Sequence, residues 1–172
     1  MRELPSERLD RRIVRVWRLT ATINVLLWCG ICVLAVGFIW ALAQFNIVQD
    51  FAGAAPVLGI VLAALIALTV VLFIVCVIVV PKVRHLRWRY QVYPEEVDIL
   101  RGILWRTRLI IPLIRVQNVD TKQGPIMRLN GLASVTIATA AGEHEIPGLG
   151  EQQADALRDQ VAVLARMAQE DV

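Results

Sequence analysis

The chain has 172 residues, a hydrophobic content of 57% and a mean hydropathy of +0.59, more than an ordinary water-soluble domain carries. Its formal charge of +3 is concentrated at the borders of one apolar block. Residues 94–172 hold eight basic and eleven acidic side chains, the wrong balance for a nucleic-acid partner, so none is expected.

Residues 1–18 carry six arginines (Arg2, Arg8, Arg11, Arg12, Arg15, Arg18) against Glu3, Glu7 and Asp10, and read as a basic cytoplasmic segment. A first transmembrane helix is expected over 19–43, where 25 consecutive residues carry no charge. Trp17 and Trp40 stand 23 residues apart, about 34 Å on a helix, which suits the two aromatic belts of one bilayer. Thr20 and Asn24 share a face one turn apart near the cytoplasmic end and read as solvated at the interface. Cys29 and Cys32 have a C-x-x-C spacing. With no histidine or carboxylate nearby, and with a thiolate costly at membrane depth, they read as small apolar residues, as does Cys76. Ala41-Leu42-Ala43 resembles a signal-peptidase site, but the apolar stretch before it is too long for a signal peptide.

Residues 44–53 form an expected extracytoplasmic loop with Asp50 and no Lys or Arg. A second span follows over 54–80, with 27 uncharged residues. Gly59, Ala63 and Ala67 recur there at four-residue spacing, a stripe suited to helix packing within the chain or against another subunit. Beyond it stand Lys82, Arg84, Arg87 and Arg89. Counted over Lys and Arg, the two outer flanks hold ten and the loop none, so the positive-inside rule places both termini in the cytoplasm and the protein in the cell (inner) membrane.

Residues 81–172 read as a cytoplasmic β-rich domain. Tyr90 and Val92 alternate with Arg89 and Gln91, Pro94-Glu95-Glu96 marks a turn, and Val97–Arg101 is a second strand. After Gly102, Trp105, Thr107, Leu109 and Ile111 alternate with Arg106, Arg108 and Ile110 up to Pro112. A further strand covers Arg115–Thr121. Gly124-Pro125 opens a short irregular or helical piece closed by Gly131. Leu132–Ala140 alternates again, Ala141-Gly142 reads as a hairpin turn, Glu143–Ile146 as a strand, and Pro147-Gly148 as its end. Ala154, Leu157, Val161, Leu164 and Ala168 then follow helical spacing, with Gly150 as a candidate cap. The pattern predicts about six strands and one amphipathic helix, a small barrel or sandwich with a covered end.

Two spans, Tyr90-Gln91-Val92, the run Ile111 to Val119, Gln123-Gly124-Pro125 and Leu129 to Val135 together resemble the bacterial pleckstrin-homology-like (PH-like) membrane proteins of the YdbS type. The resemblance implies an α+β PH-like domain, a bent antiparallel β-barrel of about seven strands capped by a C-terminal helix, behind a two-helix membrane hairpin. It also implies a larger multi-pass partner with copies of the same domain, and a link in some members to membrane stress or antimicrobial-peptide resistance.

His85 and His144 are isolated, so no metal site is expected, and no cofactor is implied. No G-x-S-x-G, Walker A or H-E-x-x-H motif occurs, and the chain reads as a non-enzyme. Two functional readings remain. One is a membrane-tethered interaction module whose partner is a multi-pass membrane protein or another copy of the chain. The other is direct contact with membrane lipids, with Lys82, Arg84, Arg87, Arg89, Arg106 and Arg108 as the candidate contacts to anionic headgroups. A transporter or channel is disfavoured, because the spans carry no charge to form a pathway.

Overall fold

The computed structural model describes residues 4–44 and 55–170. The chain divides into two units, Trp17–Pro81 and a second made of Met1–Val16 together with Lys82–Val172.

Helix α1 runs over Ile13–Gln44 and α2 over Ala55–Phe73; a π-helical segment, Ile74–Val79, leads on to α3, Val80–Arg87. Helices Ile13–Gln44 and Pro56–Arg87 are both long and apolar enough to cross a membrane. They overrun the expected span borders because helical hydrogen bonding continues past the point where charge begins. The expected loop, beyond Gln44, lies outside the described residues. In the π-helical segment the Val80 N–H bonds to the Val75 carbonyl, five residues back, within a run dense in β-branched side chains. Asn24 donates to the Thr20 carbonyl (3.0 Å), so this polar side chain is satisfied within its own helix.

The second unit contains the strands. A meander of β1 (Arg89–Val92), β2 (Glu96–Arg101) and β3 (Thr107–Pro112) forms one antiparallel sheet. A second comprises β4 (Val116–Lys122), β5 (Leu132–Thr139) and β6 (Gly142–Gly150). A 3-10 turn, Leu113–Arg115, joins the sheets; α4 (Pro125–Leu129) lies between β4 and β5, and α5 (Glu151–Glu170) ends the domain. The expected closed barrel of about seven strands is therefore corrected: the described residues hold six strands in two three-stranded sheets. Closure stops between β3 and β4. Pro112 has no N–H for a ladder, and the turn after it sends Leu113 inward, where it is fully buried.

Tyr90, Val97, Ile99 and Ile111 from the first sheet are buried, as are Leu132, Val135, Ile137, Ile146 and Leu149 from the second. Helix α5 packs on β4, β5 and the 3-10 turn, burying Ala154, Leu157, Val161 and Ala165 at helical spacing. Trp105, expected to continue the inward alternation of β3, lies outside the strand. β6 runs on through Pro147-Gly148 to Gly150, past a register shift opposite β5.

The N-terminal segment, which the sequence set apart as a basic region, is part of this core. Leu9, Ile13 and Val16 are buried. Glu7 and Tyr90 exchange backbone hydrogen bonds (3.2 and 3.1 Å), adding a short bridge at the outer edge of β1, and the Asp10 N–H donates to the Gly148 carbonyl (3.0 Å). Gly148 has φ +66°, and a Cβ there would stand 2.4 Å from Ile13 Cγ1. Backbone conformation and space both require glycine. Gly148→Ala should therefore lower the stability of the full-length protein in detergent by at least about 2 kcal/mol. Gly124→Ala, at a position with open space around it, should stay within about 0.5 kcal/mol. Thermal unfolding compares the two.

Candidate functional site

The domain has two ends that differ in chemistry. Strand β1 follows α3 directly, and the register Arg89↔Leu100 brings the end of β2 back beside it. The β2–β3 loop, residues 102–106, thus lies at this proximal end. So does α4, because Leu132 pairs with Gly150 and Arg12, just before α1, donates to the Asn130 carbonyl (3.2 Å). The 3-10 turn and the β5–β6 turn lie at the opposite, distal end. There Gln169, near the end of α5, donates to the Val116 carbonyl (3.0 Å).

The proximal end is basic. Lys82, Arg84 and Arg87 are exposed on α3, with the Arg84 guanidinium 5.8 Å from the centroid of the Trp88 ring. Arg87 hydrogen-bonds the Ile103 carbonyl in the β2–β3 loop. Arg89 is half-buried on β1, and Arg106 is exposed in the loop. Arg108 is engaged differently and forks onto Asp98 through Nε (3.2 and 3.0 Å) and Nη2 (2.6 Å). The Asp98 side chain is only 2% exposed, so this pair neutralises a buried carboxylate. Asp98 raises the Arg108 pKa, chiefly through the hydrogen bond. All six candidate headgroup contacts thus lie towards one end, with Arg108 paired to Asp98.

Of the candidate packing stripe, Gly59 meets the first helix: a Cβ there would stand 3.2 Å from Trp40 Nε1. Ala63 and Ala67 are exposed on α2. Cys29, Cys32 and Cys76 are free thiols. His85 is buried with Nε2 3.0 Å from the Leu9 carbonyl, tying α3 to the N-terminal segment. Among the described residues, no three His, Cys, Asp or Glu side chains come together as a metal site.

Sequence reasoning missed the Asp10–Arg12 clamp. Asp10 accepts from the Arg12 backbone N–H (2.8 Å) and from its guanidinium (2.9 Å at Nη2). The Arg12 hydrogen bond holds the Asp10 carboxyl below its usual pKa. An aspartate shortly before an apolar helix is a recognisable capping signal, but the surrounding arginines hid it.

The distal end carries an apolar groove of about 770 Å³. Leu109, Ile110, Ile114 and Val116 line it, with Arg115, His144 and Gln169 among its polar members. Ile110 and Ile114 are 40% and 45% exposed. The groove runs along β3, which among the described strands pairs only with β2. A free strand edge beside apolar walls can accept an extended polypeptide.

Two membrane-length apolar helices joined to a β-domain of two small sheets and a C-terminal helix define a membrane-anchored protein of the PH-like kind. The family model described as "Bacterial PH domain" matches residues 19–165. The chain is also 39% identical over 176 aligned residues, covering all of both chains, to the transmembrane protein YdbS of Bacillus subtilis (strain 168). The chain belongs to the bacterial PH-domain family and is a YdbS-type membrane protein. No solved structure matches it.

Two outcomes are expected from the ion pairs. Arg108→Ala should lower the melting temperature of the full-length protein in detergent, whereas Arg106→Ala should leave it unchanged. The Asp10 pKa is depressed on folding, so its stabilising contribution is complete above the unfolded value of about 3.9 and is lost as pH falls through the lower folded value. Asp10→Asn should therefore be less stable than the parent at pH 7, with the gap closing below about pH 4 in melting curves taken across pH.

Proposed function

We propose that the protein is a membrane-anchored PH-like scaffolding module at the cytoplasmic face of the bacterial membrane, in complex with a larger multi-pass protein carrying the same kind of domain. The observation that carries this reading is the distal groove, an apolar channel on a free strand edge, turned away from the end where the chain enters the helices. The location draws on two supports. Residues up to Val16 and Lys82–Val172 belong to one unit, which supports a reading with both ends on the same side of the membrane. The ten basic residues flanking the apolar runs favour the inner face for that side. A role in membrane stress or antimicrobial-peptide resistance is the physiological setting this reading favours.

Direct sensing of anionic headgroups is the second reading, resting on the proximal gathering of Lys82, Arg84, Arg87, Arg89 and Arg106. Attraction of about 1 kcal/mol per basic side chain arises near any anionic surface without a recognition pocket, so the groove carries more weight.

Purification of the full-length protein from its native membrane in mild detergent should recover a multi-pass protein with the same domain in fixed stoichiometry. Ile110→Glu together with Ile114→Glu should cut that recovery by about tenfold or more while the protein stays folded. Undiminished recovery with the double variant would remove the groove from the interface.

A further inference from the structure

We infer that the β2–β3 loop and the tip of α4 are seated in the bilayer interface, with Leu104, Trp105 and Leu129 in contact with lipid. This concerns the proximal end and does not depend on what fills the distal groove. The three side chains are 89%, 86% and 85% exposed, the most exposed large apolar side chains among the described residues. In a domain with a well-filled core, such side chains at loop tips indicate a surface made for contact.

Their position identifies the contact. The β2–β3 loop is tied to α3 through the Arg87 bond to Ile103, seven residues beyond Val80, where the second apolar run ends. The α4 tip is tied to Arg12 through Asn130, seven residues before Leu19, where the first run begins. Each tie therefore stands only about two helical turns in sequence from an apolar run long enough to cross a membrane. Both tips thus stand at the same end of the domain, the one whose residues continue into the two apolar runs.

Their chemistry fits the same layer. Trp105 is amphipathic, and Arg101 and Arg106 flank the first tip while Arg128 flanks the second, an arrangement that places apolar surface below phosphates and guanidinium groups among them. The first tip is also built into shape. Gly102 has φ +117°, and a Cβ there would stand 1.8 Å from the Trp105 carbonyl oxygen, so the loop turns too tightly for any side chain at this position. Two small, separate tips suit a fluid lipid surface better than a protein groove, which would present one continuous cleft.

The test uses the full-length chain with Cys29, Cys32 and Cys76 replaced by alanine, reconstituted in phosphatidylethanolamine–phosphatidylglycerol vesicles. An environment-sensitive fluorophore is attached at Leu104→Cys, Leu129→Cys or, as the distal reference, Ala141→Cys. At positions 104 and 129 we expect blue-shifted emission, quenching by lipids bearing a nitroxide high on the acyl chain, and loss of the iodide quenching seen at 141. If either label is quenched by iodide as readily as the one at 141, the inference is overturned. It is equally overturned if a label is shielded from iodide yet indifferent to the nitroxide lipid, since the cover would then be protein.

Discussion

The packing of Ile13 against Gly148 holds the organisation of the protein together. It joins a residue that precedes the first apolar run to the last strand of the β-domain, with the Asp10–Gly148 and Glu7–Tyr90 backbone bonds beside it. Ile13 is fully buried, so the contact is part of the core rather than a surface tether. One effect is on organisation: the N-terminal segment and the C-terminal domain form one compact unit. Another is on the domain boundary. A fragment starting at β1 would lack Leu9, Ile13 and Val16 and leave the outer edge of β1 unbridged, with apolar surface open to water.

Charge is divided along the domain in a way that matches its two ends. Basic side chains from α3 and the β2–β3 loop gather at the proximal end, while the distal groove is mostly apolar with a few polar members. Arg108 shows why residue type alone misleads here. It sits in sequence beside Arg106, yet the fold commits it to the buried Asp98. Tyr90 is similar: burial, and then its hydrogen bond to Glu7, push its phenol well above the ordinary value and hold it in the core.

Patterns confined to short stretches were legible in the sequence. The apolar runs, the alternation in β1, β2 and β5, and the spacing of Ala154, Leu157 and Val161 each record a local burial that one window can register. Features requiring distant partners were not. The 1–18 segment reads as basic because five of its arginines lie between Arg8 and Arg18, and the interleaved Leu9, Ile13 and Val16 look incidental until the β-domain is present. Pro147-Gly148 reads as a strand terminator, whereas the structure uses the glycine to admit Ile13 within a strand that continues. Trp105 follows the alternation of β3 but falls before the strand begins. Of the six basic residues nominated for lipid contact, all lie on or near α3 and the β2–β3 loop, and the pairing of Arg108 with Asp98, ten residues earlier in the chain, was not legible in the sequence.

The same Ile13–Gly148 contact sets an order of events during synthesis. Ile13 is synthesised 135 residues before Gly148, an interval on the order of ten seconds at ordinary elongation rates. Within it both apolar runs are synthesised while Leu9, Ile13 and Val16 are without their seat. Completion of the last strand therefore acts as a latch: a chain that stalls between the second apolar run and Gly148 has no seat for Ile13.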